Sequence, residues 1–343
     1  MALNRTAKEM LLPVVSVIMP IKNEEKYIGR SLNAVLNQNY PTGYLEVLVI
    51  DGHSSDRTRE IISLLSKNSR FPIFLIDNPT GIVPKALNIG LNVAKGEIVI
   101  RVDGHCEIQR NYVLRCVTNL QNQENIECVG GTIDTIGETF VAQSIALAMS
   151  TSFGVGNVAF RVNNGRSHYV DSVPFPAYTR SVFDRIGHFD EEMLCNEDDE
   201  FNYRLLKNKG RILLDKDITT RYYSRGSLKA LWKQYFRYGL WKVRVMQKHP
   251  GQMRVRQFIP SLFVVTLIIS ILLMLLIPYG WIFFVTLFGV YVFTVLVISL
   301  HSIQRNDLRQ LFLLPIIYLT LHTSYGSGFL YGFYKFRGFF NKP

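Results

Sequence analysis

Short β-branched apolar runs alternate with stretches of helical spacing through the first 110 residues. Residues 14–20 (VVSVIMP) read as a buried parallel strand. Residues 24–38 place Tyr27, Ile28, Leu32, Val35 and Leu36 on one helical face. Residues 45–50 predict a second strand, and Asp56 is placed to cap a helix over 57–65. A third strand over 71–76, a helix over 84–93 and a fourth strand over 97–102 complete the series. Repeated strand–helix units predict an α/β domain with a mostly parallel sheet and helices on both faces. Residues 139–156 are mildly amphipathic and rich in small residues, which suits a packed helix or one lying on a membrane surface.

The pattern then changes. Between Gln257 and Gln304 there is no Asp, Glu, Lys or Arg. Residues 258–277 are uncharged, and at about 1.5 Å per residue they cross a hydrocarbon core of about 30 Å. A second run covers 281–300 after Pro278-Tyr279-Gly280, and a third covers about 311–334. This predicts a membrane region over 258–343, with three full spans expected, behind a catalytic domain over 1–220 and a connecting segment over 221–257. Residues 1–20 do not read as a signal peptide, because the apolar stretch is short and broken by Pro13.

Charge sharpens this division. The chain carries 38 Lys+Arg and 27 Asp+Glu, a net charge of +11, which by itself suggests an acidic polymer as partner. Residues 1–220, however, hold 23 basic and 26 acidic side chains, while residues 221–257 hold 10 basic and no acidic ones. The positive charge is thus a stripe beside a membrane span. It predicts attachment to an anionic lipid leaflet, with Lys229, Lys233, Lys242, Arg244 and Lys248 snorkelling to headgroups, and argues against nucleic acid. Cys106, Cys116, Cys128 and Cys195 lack CxxC spacing and are expected to be free thiols.

Polar clusters fall at the carboxyl ends of the predicted strands, where open α/β sheets bind ligands. They are Lys22-Asn23-Glu24, Asp51-Gly52-His53-Ser54 and Asp103-Gly104-His105. A carboxylate at a strand end is a hard ligand for Mg2+ or Mn2+, and an imidazole beside it tilts the choice toward Mn2+. Glu197-Asp198-Asp199-Glu200 opens a helix, where the dipole favours acids; crowded carboxylates also raise one another's pKa, which suits a general base. Gln234-Tyr235-Phe236-Arg237-Tyr238 places an Arg and aromatic rings together, which suits a diphosphate or a sugar face.

The order of these segments resembles glycosyltransferase family 2, whose members have the GT-A fold. The matching segments are VSVIMPIKNEEKYI, VLVIDGHSSDRT, PKALNIGL, GEIVIRVDGH, RIGHFDEEMLCNEDDEFNYRL and QYFRY, over about residues 14–240. With Val170–Arg180 (VDSVPFPAYTR) and the membrane tail, the chain is most similar to membrane-attached, succinoglycan-type exopolysaccharide glycosyltransferases. The resemblance implies that Pro20 and Glu24 lie beside the nucleotide, that Asp51 reads the base, and that Lys85 lies near the donor. It implies Asp103 and His105 at a Mg2+ or Mn2+ ion, Asp198 as the base and Glu197 beside the acceptor. Gln234, Arg237 and Tyr238 match the family's QxxRW box, with Tyr in place of Trp; Gly52 stands where many members have a second Asp.

The expected activity is therefore metal-dependent, inverting transfer of a sugar from a nucleotide-sugar, of the UDP class, to a polyprenyl-diphosphate-linked saccharide. The catalytic part is expected on the cytoplasmic face of the plasma membrane, with Arg305 and Arg309 inside; a third full span sets Lys335, Arg337 and Lys342 outside, against the positive-inside tendency. A polyprenyl-phosphate glycosyltransferase and a processive synthase are the alternatives within the class, the latter disfavoured because no span precedes the catalytic part. A non-catalytic membrane scaffold is the alternative outside it.

Overall fold

A computed structural model describes residues 12–123, 125–162, 165–303 and 307–339. The first eleven residues, Arg305 and Lys342 lie outside the described residues.

The expected strand–helix series forms: β1 (Val15–Ile21), α1 (Ile28–Leu36), β2 (Leu45–Asp51), α2 (Thr58–Ser66), β3 (Ile73–Asp77), α3 (Val83–Val93) and β4 (Ile98–Arg101). These strands pair in parallel, with β1 between β2 and β4, and β3 outside β2. Successive residues of β1 enter opposite cores. Val15, Val17 and Met19 pack with Ile28, Leu32 and Val35 of α1, while Ile18 packs with Leu87 and Leu91 of α3. Burial on both faces is why these strands read as continuous apolar runs rather than alternating ones. The Asp56 carboxylate accepts the Thr58 backbone N–H at 3.0 Å, as expected of a residue opening α2.

The sheet beyond β4 is mixed. It adds β5 (Cys106–Ile108), β6 (Ile126–Ile136), β7 (His168–Val170), β8 (Ala177–Thr179) and β9 (Arg211–Tyr223). The order is β3-β2-β1-β4-β8-β6-β9-β5, with β7 also on β9. β8 runs antiparallel to both β4 and β6, so the mostly parallel character holds only for the first half. These strands are short or carry polar residues, and their pairing is set by distant partners. α4 (Tyr112–Asn122), α5 (Phe140–Met149), α6 (Ser152–Val155), α7 (Arg180–Ile186) and α8 (Glu197–Lys207) complete the domain. α5 buries Ala142, Ile145, Ala148 and Met149, the packed-helix alternative for residues 139–156.

Next come α9 (Leu228–Lys248), α10 (Ile259–Leu276), α11 (Gly280–Ser302) and α12 (Arg309–Lys335). Only α10 and α11, among the described residues, are long and apolar enough to cross a membrane, and most of their surface is exposed. The third run, expected as a span, forms α12, which is not among them. α12 packs against α9, α5 and α6 as well as α10 and α11. Its Arg309 sits 5.0 Å from the Phe140 ring, Tyr318 Oη lies 3.1 Å from Thr151 Oγ1, and His322 Nε2 lies 2.9 Å from the Phe153 carbonyl. Farther on, Gln247 of α9 donates to the Phe336 carbonyl at 2.9 Å. The run looked like a span because it lacks charge, but its Ser, Thr, His, Tyr and Gly residues serve polar contacts and close helix packing. Lys335 and Arg337 therefore flank a residue docked on α9, on the catalytic side.

Three of the five cations expected at headgroups have acidic protein partners instead. Lys242 pairs with Asp199, Lys248 with Asp190 and Glu192, and Arg244 with Glu192 at 3.0 Å. These cations bind α9 to the acidic stretch around the start of α8 rather than reaching headgroups, whereas Lys229 and Lys233 are exposed.

Candidate functional site

The ends of β1, β2 and β3 are flush, and with the turn that follows β4, which ends beside Ile18, they form the floor of the site. Register places Ile21 of β1 beside Asp51 of β2, and Asp51 beside Asp77 of β3. Pro20 is buried one residue before the end of β1. The wholly buried Asp51 accepts the Ser54 backbone N–H at 3.2 Å and the Arg59 guanidinium at 2.8 Å; Arg59 also reaches Asp77 at 2.6 Å. A side chain at Gly52 meets the Gly81 Cα at 3.2 Å and the Ile21 carbonyl at 3.3 Å, so the loop after α2 and β3 crowds a second acid there. Lys85, in the first turn of α3, pairs with Glu191 at 3.2 Å.

The turn after β4 brings Asp103 and His105 to this floor. His105 Nδ1 lies 2.9 Å from the Glu24 carboxylate, joining the β1 loop to the turn. Burial pushes the Asp103 carboxyl up, but Arg101, His105 and Arg225 more than offset this and hold it below its ordinary value. Among the described residues, no three of His, Cys, Asp and Glu gather into a closed metal cage. Asp103 Oδ2 and His105 Nε2 take no hydrogen bond from the described residues. A partial, oxygen-and-imidazole donor set of this kind fits a divalent cation that takes its remaining ligands from water and substrate phosphates.

The acids of α8 are sorted by their partners. Glu197 receives Arg101 Nη1 at 2.9 Å, Asp199 receives Lys242, and Glu200 receives Arg204 at 2.7 Å and His249 at 2.9 Å. Among the described residues no cation pairs with Asp198. Burial first, then the negative charges of Glu197 and Asp199, push its carboxyl up to about 7, with Arg101 pulling the other way. A half-buried acid poised near neutrality beside engaged neighbours is the profile of a general base. Its helix starts from Asn196, held in the left-handed region at φ 60°, and Asn196 Nδ2 donates to the Tyr238 carbonyl at 3.1 Å.

That bond ties α8 to the Gln-x-x-Arg-Tyr segment of α9. Gln234 Nε2 donates to the hydroxyls of Tyr238 at 2.9 Å and Tyr222 at 3.2 Å, and its Oε1 accepts from Arg225 at 3.3 Å. Tyr222 in turn meets the His105 ring edge-on at 5.5 Å. Arg237 donates to the Leu194 carbonyl in the loop before α8. Tyr238 is thus a strut within a polar network, and burial raises its hydroxyl pKa well above the usual value. The structure gathers Glu24, Asp51, Asp103, His105, Glu197, Asp198, Gln234 and Tyr238 into one connected region. Arg101, Tyr222, Arg225 and Lys242 join it without having been singled out by motif. Arg101 carried a signal: it is a charged residue closing an otherwise apolar strand.

The family model of Glycosyl transferase family 2 matches residues 16–187, half of the chain. The chain belongs to glycosyl transferase family 2. The matched segment holds β1 to α7, with Asp51, Lys85 and Asp103; α8 and the α9 network lie beyond it. Among family relatives, a dolichyl N-acetyl-alpha-D-glucosaminyl phosphate 3-beta-D-2,3-diacetamido-2,3-dideoxy-beta-D-glucuronosyltransferase of Methanococcus voltae is 27% identical over 94% of this chain and 97% of its own length. The succinoglycan biosynthesis protein ExoA of Rhizobium meliloti is 28% identical over 71% of this chain and 73% of its own. A solved mannosyltransferase from Pyrobaculum calidifontis, in complex with GDP-Man and Mn2+, superposes with a TM-score of 0.61 at 16% identity, over 94% of this chain and 88% of that one. That likeness is one of fold, and it makes this catalytic domain a GT-A domain followed by C-terminal helices. The chain is a glycosyltransferase by family, and its family relatives include enzymes named for lipid-linked saccharides and exopolysaccharide.

Proposed function

We propose that the protein is a membrane-anchored, inverting glycosyltransferase that moves a sugar from a UDP-class nucleotide-sugar to a polyprenyl-diphosphate-linked saccharide. The observation that carries this reading is the sorting of the α8 acids. Asp198 is left without a cation, with a pKa near 7, in a helix bridged by Arg101 to the Asp103 turn. The nucleotide lies along Pro20, Glu24 and Asp51, with Lys85 toward the sugar. Asp103 and His105 would hold a Mg2+ or Mn2+ ion, which would supply positive charge against the diphosphate. Asp198 accepts the proton of the acceptor hydroxyl as its oxygen attacks the anomeric carbon. The bond to the nucleoside diphosphate breaks on the opposite face, so the anomeric configuration inverts. Gln234, Arg237 and Tyr238 position the acceptor end of the site from α9.

The relative from Methanococcus voltae is named for a polyprenol-phosphate-linked sugar, which supports a lipid-linked acceptor for this chain too. α10 and α11 form a hairpin that leaves the catalytic side and returns to it, and α12 stays there. Lys229, Lys233, Lys335 and Arg337 are then on one side, which the positive-inside tendency makes cytoplasmic. Addition of one or a few sugars, rather than processive synthesis, suits a membrane region with two crossing helices.

The direct test is transfer by the purified protein from a panel of nucleotide-sugars to a polyprenyl-linked saccharide, with and without Mn2+. Wild type is expected to show metal-dependent product of inverted anomeric configuration; retained configuration overturns the mechanism. Asp103→Ala is expected to weaken metal-dependent UDP binding by calorimetry at least tenfold, and unchanged binding removes Asp103 from the metal's shell. The pH profile follows from Asp198. A base works ionised, and its pKa is raised to about 7, so kcat/KM should fall about tenfold per pH unit below 7 and level off above it. A profile flat from pH 5 to 8 assigns the base elsewhere.

A further inference from the structure

We propose that Arg101 is a positioning residue for sugar transfer, one guanidinium setting the separation between the Asp103 turn and the acid helix α8. Its Nε donates to Asp103 Oδ1 at 2.9 Å, and its Nη1 donates to Glu197 Oε1 at 2.9 Å. Its own backbone N–H donates to the Pro176 carbonyl at 3.0 Å, within the 170–180 loop. One residue at the end of β4 therefore touches the donor-side turn, the helix carrying Asp198 and the 170–180 loop. The side chain is 13% exposed and that of Glu197 8%, so neither is held loosely by water.

The type of bridge matters. A guanidinium is a rigid planar fork, and two of its nitrogens here face two carboxylates from different elements; an ammonium offers the same charge without that geometry. Burying such a triad costs desolvation that well-packed apolar side chains avoid, so stability alone is a weak reason for it. Transfer supplies the stronger reason. The acceptor oxygen must meet the anomeric carbon in line with the departing diphosphate, and displacement of a reacting group by about 1 Å costs about 10²-fold in rate. The bridge sets that distance, because Asp103 faces the diphosphate and Asp198 follows Glu197 in the same turn of α8. It also holds the Glu197 carboxylate through its Oε1.

This inference rests on the role proposed for Asp198, and the experiment separates the two. The full chain is assayed as wild type, Arg101→Lys, Arg101→Met, the double variant Arg101→Met/Glu197→Gln, and Asp198→Asn. Readouts are kcat at saturating donor, donor KM, and Tm. Arg101→Lys is expected to keep Tm within a few degrees of wild type and to lose about 10²-fold in kcat, with donor KM changed less than tenfold. Arg101→Met strands two buried acids and is expected to lose Tm as well; the double variant recovers part of that Tm and none of the kcat. Arg101→Lys or the double variant within about threefold of wild-type kcat overturns the proposal, as does a loss of kcat that tracks Tm across the series. Activity retained in Asp198→Asn overturns the base assignment instead. An inactive Asp198→Asn beside a fully active Arg101→Lys removes only the positioning role.

Discussion

Asp198→Asn is expected to lower kcat by about 10²–10⁴-fold, the usual contribution of a positioned general base, without harming the fold. Asn keeps the shape and can still accept the Asp199 backbone N–H, which lies 2.9 Å from Oδ1. What it loses is the ability to take the acceptor's proton. The stability effect has a definite sign. The folded protein raises the Asp198 pKa above its ordinary value of 3.8 to about 7, so the native state binds a proton that the unfolded chain releases. The associated stability is present at low pH and is lost as pH rises through that interval toward 7. A neutral Asn does not incur this loss. The variant's Tm should therefore exceed that of wild type by a larger margin at pH 8 than at pH 5. Transfer assays and thermal unfolding at both pH values check the two halves together. A variant with near-wild-type turnover moves the base elsewhere; one that is inactive and also unstable at pH 8 makes Asp198 structural.

Gly239→Val is expected to separate the membrane-side helices from the site. Gly239 lies in the middle of α9, where a Cβ falls 2.1 Å from the Tyr325 carbonyl of α12 and 2.9 Å from the Phe329 nitrogen. Both contacts are backbone, so neither can swing aside. Gly328 and Gly332 of α12 make the reciprocal approach, to the Phe236 carbonyl at 2.1 Å and the Leu240 carbonyl at 2.8 Å. Overpacking of an interior costs about 1–3 kcal/mol, and more where the backbone itself must move. α9 also carries Gln234 and Tyr238, so its displacement should disturb the network to Tyr222 and Asn196. Tm in detergent should drop by several degrees and transfer should fall, while UDP binding on the β1–β4 floor persists. Unchanged Tm shows that α12 is not docked through these glycines.

Asp103 and Asp198 were legible because they sit in short motifs whose chemistry is local: an acid at a strand end, acids at a helix start. Arg101 was less so. A charged residue closing an apolar strand is visible, but its two partners are a turn residue and a helix residue 96 positions away. Tyr222 and Lys242 carried no motif at all, since their roles come from what β9 and α9 happen to face. The packing of the third apolar run was hidden for a related reason: absence of charge says nothing of what its small and hydroxyl residues face, which the structure shows to include α9.

The sequence by itself determined the α/β catalytic domain, two helices long and apolar enough to cross a membrane, and the segregation of charge. Each depends on spacing along the chain, through strand burial, helix length against membrane thickness, or composition. Only the tertiary structure decided what the basic stripe meets. Lys242, Arg244 and Lys248 neutralise Asp199, Asp190 and Glu192, while Arg101 takes Glu197. Pairing of charges is a matter of distance in space, and burial multiplies its effect by removing water's screening. Four neighbouring acids look alike in sequence. Folding engages three of them and leaves Asp198 without a cation among the described residues, half-buried and near neutrality.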